Sequence, residues 1–288
     1  MDRVLFGDNQ FFAVNHASDE KARTQAMRFA KDEAIMRVLD DAMDCGINTF
    51  MCTTHDRIAK ICQKMRDNPD KYGKFNFYPC MPYAHKYANA VTDFGIIGAI
   101  KEYVPGNFVS TAFKGGAGLL TKNYIKLMEL LVDAEMKMFR GLNTPVIFLQ
   151  NVIVDLILGM RMPSIFKAYD SYIRIKYNAE PGYITMNMPA LTDALESEGV
   201  DNPIICCSIN KNGFRMSGDM EIYESYLSEK KVRIIAMQVM AAGTIRPKEA
   251  IEYLGRFPQI QAVLFGASSK EHIMETKGLI DHLYHIGE

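Results

Sequence analysis

The sequence predicts an α/β fold, a (β/α)8 TIM barrel whose single domain covers residues 1-288. Two observations carry this prediction. Short β-branched or aromatic runs alternate with helical patterns, and each run ends at polar residues or at glycine. Parallel strands whose carboxyl ends converge on one site produce this pattern. The clearest runs are residues 4–7, 47–51, 75–80, 146–149, 183–186, 234–237 and 263–265.

Helical patterns fill most of the intervals between these runs. Residues 32–43 place Ile35, Val38, Leu39 and Met43 on one face, and Gly46 ends the pattern. Strands and helices in alternation, joined by short connections, imply right-handed crossovers and a parallel sheet. Further helices are predicted at residues 56–65, 93–104, 122–139, 189–199, 219–227, 247–254 and 270–283.

The strand count leaves one choice open. Residues 108–113 and 204–207 also have strand composition, which gives nine candidates for the eight places of a barrel. The run at 108–113 competes with the run at 75–80 for third place. A doubly wound open sheet is the alternative architecture, but it usually has a glycine-rich turn after its first strand. The turn at residues 7–10 has no GxGxxG pattern.

Two connections are longer than a barrel requires. Residues 8–31 follow the first strand, and a long loop on that face often acts as a lid. Residues 150–177 form a helical insertion rich in Met and Tyr. We expect this insertion to cover the site, to pair subunits in a homo-oligomer, or to be ordinary core of the outer ring.

Composition restricts the classes of partner. The 288 residues carry a net charge of -1 and no block rich in Lys or Arg, so a nucleic acid is not expected to bind. The first residues have the pattern of a strand, so no secretory signal is expected, and the most apolar stretch is too short to span a bilayer. The six cysteines form no CxxC pair and are expected to be reduced thiols of a cytoplasmic protein. The remaining expectation is a small-molecule substrate.

Three segments in the second half of the chain carry a family resemblance. Residues 182–189, 234–243 and 260–273 resemble the corresponding strands and loops of the aldo-keto reductases, and residues 46–50 resemble the second strand of that family. The resemblance covers about half of the chain. It implies a barrel oxidoreductase that uses NADP or NAD and holds the phosphate of this cofactor after the last strand.

The resemblance and elementary electrostatics indicate the same phosphate site. A helix begins just after Gly266, Ala267, Ser268 and Ser269, and the positive end of a helix favours an anion. Loops after the last two strands of a barrel are frequent phosphate sites, and Gly243 would supply the other half. The alternative is plain capping of the helix by one of the two serines.

The catalytic tetrad of the family, an Asp, a Tyr, a Lys and a His, is not matched. Met51 stands where the resemblance implies the Asp, and His55 or Asp56 falls where it implies the Tyr. The family's His is replaced by Gln150 or Asn151. The standard mechanism needs a Tyr acid whose pKa is lowered by a Lys, so any chemistry would use a different set of residues.

The ends of the first two strands supply two catalytic candidates. Asp8 is a candidate base or metal ligand, although Asp also bonds its own backbone in turns. His55 is a candidate general acid or base because imidazole titrates near neutral pH. We assign Asp56 to the cap of the following helix.

A third cluster follows the run at 75–80. Tyr83, His85 and Lys86 would provide an acid, a base and a cation within four positions, and a desolvated Lys86 would also form a Schiff base with a carbonyl. An exposed loop with a solvated lysine is the competing interpretation. The candidate substrate-binding residues at the strand ends are Asn9, Gln10, His16, Lys114, Gln150, Asn151, Asn187 and Gln238.

Two questions of chemistry stay open. His16, His55 and His85 follow three different strands and would bind a metal together with Asp8, but no tight ligand spacing supports this, and no metal is assigned. The first functional hypothesis is an NADP- or NAD-dependent oxidoreductase acting on a small carbonyl- or phosphate-bearing metabolite. A cofactor-free lyase, aldolase or isomerase using Lys86 or a His/Asp pair is the second. A non-catalytic barrel that binds a ligand is the third.

Overall fold

Eight parallel strands close into a barrel in sequence order, which confirms the predicted fold class. The computed structural model describes residues 1–14, 19–83 and 117–285. The barrel closes through pairing of the first strand with both the second and the eighth, so the open-sheet alternative is wrong. The strands are β1 (Val4–Gly7), β2 (Thr49–Thr53), β3 (Asn76–Met81), β4 (Val146–Leu149), β5 (Glu180–Thr185), β6 (Ile204–Ser208), β7 (Arg233–Met237) and β8 (Ile260–Phe265).

Helices surround the barrel, as the alternating pattern predicts. Most lie within a few residues of their predicted positions. In the described residues they are α1 (Asp19–Arg28), α2 (Asp32–Asp44), α3 (Asp56–Arg66), α4 (Pro69–Tyr72), α5 (Ala117–Met136), α6 (Asn151–Gly159), α7 (Ser164–Tyr177), α8 (Met188–Ser197), α9 (Met220–Glu229), α10 (Pro247–Leu254) and α11 (Lys270–His285).

Strand pairing shows where two of the nine candidate strands belong. The run at 75–80 becomes β3, because Asn76–Met81 pairs with β2 on one side and β4 on the other. The run at 204–207 becomes β6, between β5 and β7. The candidate strand at 108–113 and the candidate helix at 93–104 lie outside the described residues.

Close-packed side chains fill the barrel interior. Leu5, Met51, Tyr78 and Phe148 are buried there in one apolar cluster. Gly182 on β5 makes room for the ring of Phe148, since a Cβ at this glycine would lie 2.3 Å from the ring. A packed interior is a core and not a pore, so any chemistry belongs at the carboxyl ends of the strands.

The two long connections both contain helices. The first holds α1, which precedes α2. The second holds α6 and α7. Ile165, Phe166, Tyr169 and Ile173 of α7 are buried, which makes this helix part of the outer ring. The burial of these side chains favours the interpretation of α7 as ordinary core of the outer ring.

No helix in the described part of the chain combines the length and the apolar character that crossing a membrane requires. The longest, α5, has twenty residues and carries charged side chains along its length.

Candidate active site at the barrel mouth

Asp8 lies directly after β1 and is 6% exposed. One of its carboxylate oxygens accepts two hydrogen bonds from Thr53, one from the backbone N–H at 2.8 Å and one from the hydroxyl at 2.7 Å. Burial raises the pKa of this carboxyl, and the hydrogen bonds from Thr53 oppose the rise only in part. Asp8 therefore holds a proton more readily than a solvated aspartate does.

His55 follows β2 and is fixed by two contacts. Its ring stacks on Phe12, with centroids 4.3 Å apart and planes inclined by 23°. Its Nδ1 accepts a hydrogen bond from the backbone N–H of Arg57 at 3.1 Å, so His55 is the N-cap of α3. The assignment of the cap to Asp56 is wrong, because Asp56 is already the first helical residue. Since Nδ1 accepts, the neutral ring carries its proton on Nε2.

Tyr83 follows β3 and completes a cluster with the other two candidates. Its ring centroid lies 5.9 Å from that of His55. Burial raises the pKa of the Tyr83 phenol, and the negative charge of Asp8 adds to the rise. The hydroxyl therefore stays protonated at neutral pH.

Glu135 supports this cluster and was not identified from the sequence. It lies on α5 and is 2% exposed. Its carboxylate accepts a hydrogen bond from the Thr54 hydroxyl, and its two oxygens lie 3.2 Å and 3.1 Å from the backbone nitrogen of Tyr83. Met128 and Val132 of the same helix are buried, and helical spacing from them places Glu135 on the buried face. That spacing was the available signal.

The other polar candidates near the first strand have structural partners. Gln10 is buried, and its amide nitrogen donates to the carbonyl of Gly7 at 2.8 Å. A Cβ at Gly266 would lie 2.1 Å from the Gln10 side-chain oxygen, so the two residues pack tightly. Asn9 is exposed at the start of a short 3-10 helix.

The candidates after the fourth, fifth and seventh strands lie around the rest of the mouth. Gln150 and Asn151 connect β4 to α6, and Gln150 donates its backbone N–H to Met81 at 2.9 Å. Asn187 caps α8 by accepting from the N–H of Ala190 at 3.3 Å. Each lies at a strand exit, as predicted.

Gln238 lies at the end of β7 with a positive φ of 54°. Its side-chain oxygen accepts from the hydroxyl of Ser208 on β6 at 2.6 Å. Beside β5, Asp155 of α6 accepts from the hydroxyl of Thr185 at 2.6 Å, and burial raises the pKa of its carboxyl. Asp155 is a half-buried acid that sequence reasoning missed.

A cleft of about 310 Å³ lies where α11 begins, after β8. Ser268, Ser269, Lys270 and Glu271 at the start of α11 line it, together with Arg28 of α1 and with Arg37 and Asp41 of α2. The cleft therefore combines a helix N-terminus and three cationic side chains, which suit a phosphate, with the two carboxylates of Asp41 and Glu271.

The cationic groups of this cleft differ in their partners. The Arg28 guanidinium donates to the Ser268 carbonyl, and Lys270 pairs with Asp44 at 2.7 Å. Arg37 is exposed and forms no ion pair with any described residue. The Ser269 hydroxyl accepts from the N–H of His272 at 3.4 Å, so the capping interpretation holds for Ser269.

Gly243 lies in the turn after β7 with a φ of 91°, a backbone conformation that glycine adopts without strain. It is not among the described residues that line the cleft. The candidates His16, His85, Lys86 and Lys114 lie outside the described residues. Within the described ranges, no group of three or more His, Cys, Asp or Glu side chains is placed to hold a metal ion.

Comparison with known proteins identifies the fold. No protein-family model matches the chain, and no curated protein matches it. A protein from Pseudomonas aeruginosa that carries the name aldo-keto reductase gives a TM-score of 0.58 at 11% identity, over 98% of this chain and 91% of that one. The aldose reductase from Schistosoma japonicum gives 0.51 at 9% identity, over 98% and 87%. A variant of Gox0644 in complex with NADPH gives 0.50 at 8% identity, over 86% and 79%.

The chain has the fold of an aldo-keto reductase-like TIM barrel. At these identities the likeness concerns the fold alone. On this aldo-keto reductase-like barrel, Asp8, His55 and Tyr83 follow three neighbouring strands, β1, β2 and β3. Met51, in the place where the family resemblance implies an Asp, is buried among the apolar side chains of the barrel interior.

Proposed function

We propose that the chain is an NADP- or NAD-dependent oxidoreductase that interconverts a small carbonyl compound and its alcohol. The observation that carries the proposal is the cluster of Asp8, His55 and Tyr83 at the mouth of an aldo-keto reductase-like barrel. The cationic cleft at the start of α11 supports it, because a nicotinamide dinucleotide carries phosphates.

The cleft suits the phosphate-bearing part of the cofactor. Gly266 brings the backbone close to Gln10, where any larger residue would collide, and Ser268 and Ser269 open the helix beside Arg28 and Arg37. One of the fold neighbours is solved with NADPH. When bound, the cofactor supplies or accepts the hydride at the substrate carbon.

The protein's own part is to handle the proton at the substrate oxygen. A carbonyl oxygen that becomes a hydroxyl must gain one proton. Because the pKa of Tyr83 is raised and not lowered, we assign proton donation to His55 in the form protonated on both nitrogens, in which Nδ1 gives up the hydrogen bond from Arg57 and Nε2 donates its proton to leave a neutral ring. Tyr83 takes the role of the hydrogen-bond donor that orients the carbonyl. Asp8 is the buried carboxyl whose charge acts on Tyr83.

Binding of NADPH, followed by its fluorescence, tests the proposal. We expect saturable binding in the micromolar range and a loss of about tenfold or more in Arg37→Met, since a hydrogen bond to a charged group contributes about 1.5–3 kcal/mol. Arg161→Met is the matched control, because Arg161 is also exposed but does not line the cleft. Absence of binding at millimolar NADPH would remove the redox function.

A cofactor-free lyase is the second candidate, and one observation favours it. Asp8 and His55 lie at the exits of adjacent strands, and burial raises the pKa of Asp8 toward the range useful for acid–base catalysis. Turnover of a carbonyl substrate without added cofactor would select this function over the oxidoreductase. The Schiff-base version depends on Lys86, which lies outside the described residues.

A further inference from the structure

A second cavity, of about 180 Å³, lies on the opposite side of the barrel mouth from Asp8. Met186, Arg215, Met216 and Ser217 line it. Met186 follows β5, and the other three lie in the connection from β6 to α9. The cavity therefore opens at the carboxyl ends of the strands, the same end of the barrel as the catalytic cluster.

Hydrogen bonds fix the loop that carries Arg215. Asn210 is 1% exposed, and its side chain both accepts from the N–H of Phe214 and donates to its carbonyl, each at 2.9 Å. On the other side, the N–H of Ser217 donates to the carbonyl of Met186 at 2.8 Å. Arg215 and Met216 are thus held between two fixed points, which preorganises the cavity wall.

The backbone of Arg215 adopts an unfavourable conformation. Its φ is 54°, in the left-handed region. It is the third residue of a turn closed by a hydrogen bond from the N–H of Met216 to the carbonyl of Gly213 at 3.2 Å. Glycine or asparagine is favoured at a turn position with positive φ, so an arginine costs conformational free energy.

The guanidinium of Arg215 has no carboxylate partner among the described residues. It is exposed, and its one recorded contact is with the ring of Phe214, 6.0 Å from the ring centroid. Two acidic residues near Arg215 have other hydrogen-bond partners. Asp219 caps α9 by accepting from the N–H of Glu221, and Asp155 accepts from Thr185.

We propose that Arg215 binds the carboxylate of an organic acid whose apolar body rests on Met186 and Met216. The planar guanidinium matches a carboxylate with two parallel hydrogen bonds, and methionine adapts to apolar and aromatic groups. The substrate of the proposed oxidoreductase is then a carboxylate-bearing carbonyl compound, an assignment that rests on the proposed function. Strands β5 and β6 face β1 and β2 across the mouth, so the anchored end lies opposite the reacting end.

Binding to cofactor-free protein tests the subsite without any requirement for turnover. The probes are 4-formylbenzoate and its methyl ester, titrated by ligand-observed NMR. We expect the acid to bind at least tenfold more tightly than the ester. Arg215→Gly should abolish this preference while leaving the melting temperature unchanged or higher, because glycine accepts the positive φ.

Arg161→Gly is the matched control, since Arg161 is exposed, has a φ of 53° and does not line the cavity. It should keep the wild-type preference for the acid. An unchanged preference in Arg215→Gly, or displacement of 4-formylbenzoate by equimolar inorganic phosphate, would overturn the subsite. Binding of the acid through Arg215 without NADPH-dependent reduction would keep the subsite and reject the oxidoreductase.

Discussion

Asp8 and Thr53 form a two-fold polar contact at the barrel mouth: one carboxylate oxygen of Asp8 accepts both the N–H and the hydroxyl of Thr53, at 2.8 Å and 2.7 Å. The contact joins the exits of β1 and β2. It does not fully compensate for burial, because the pKa of Asp8 is still raised. A buried carboxyl with a raised pKa reduces stability when it is ionised, and such costs are common at functional sites.

Asp8→Asn should therefore stabilise the protein at neutral pH. The unfolded chain loses the Asp8 proton near the usual aspartate pKa of 3.8, and the folded chain loses it at a higher pH. Stability falls as the pH rises between those two values, by about 1.4 kcal/mol for each unit of separation. An asparagine at position 8 keeps an oxygen that accepts both hydrogen bonds from Thr53. Because its amide does not ionise, stability does not fall as the pH rises.

Thermal melts of both proteins at several pH values measure this effect. The gain in melting temperature of Asp8→Asn should be a few degrees near pH 7 and should shrink below pH 4. Asp70→Asn, at an exposed residue of α4, is the control and should show no such trend. A variant less stable than wild type at neutral pH would mean that the ionised carboxylate stabilises the fold.

Glu135→Ala should destabilise the protein by about 2–4 kcal/mol, since it removes the carboxylate that accepts from the Tyr83 N–H and the Thr54 hydroxyl and opens a cavity. Urea denaturation measures the loss. Glu129→Ala, at a partly exposed position of the same helix, is the control and should cost less than about 1 kcal/mol. Equal costs for the two variants would contradict the assigned role of Glu135.

Gly266→Ala should cost about 1 kcal/mol, because the new methyl group displaces the Gln10 side chain and breaks its bond to Gly7. In a Gln10→Ala background the same change should cost much less, and a double-mutant cycle measures the difference. Gly278→Ala is the control. It lies in open space on α11, where alanine should stabilise the helix by about 1 kcal/mol. Additive costs in the cycle would mean that Gln10 and Gly266 do not interact.

The barrel was predictable because most strands are continuous β-branched or aromatic runs with helical patterns between them. The competition between residues 75–80 and 108–113 was not decidable locally, since strand composition measures fit to a half-buried surface. Pairing of Asn76–Met81 with both β2 and β4 decides for the first run. The pairing joins three strands that are distant in the sequence, so no single run of residues reveals it.

The site was predictable only in part. The positions of Asp8, His55 and Tyr83 at strand exits could be predicted because each follows a strand run, and their catalytic role stays a prediction. The cap was misplaced by one residue because aspartate is the stronger N-cap type, whereas His55 has the extended φ and ψ of −62° and 147° that a cap requires. Helical spacing indicates that Glu135 is buried, but its partners lie 52 and 81 residues away in the sequence, where no local pattern identifies them.

Transfer of deuterium from labelled NADPH to the substrate measures the proposed oxidoreductase activity most directly. NADPH carrying deuterium at the transferred position would be incubated with the protein and 4-formylbenzoate, and the alcohol product examined by NMR. We expect one deuterium at the new carbinol carbon, with the rate reduced at least tenfold in both His55→Ala and Tyr83→Phe. Product without deuterium, or an unchanged rate in both variants, would contradict the proposed function.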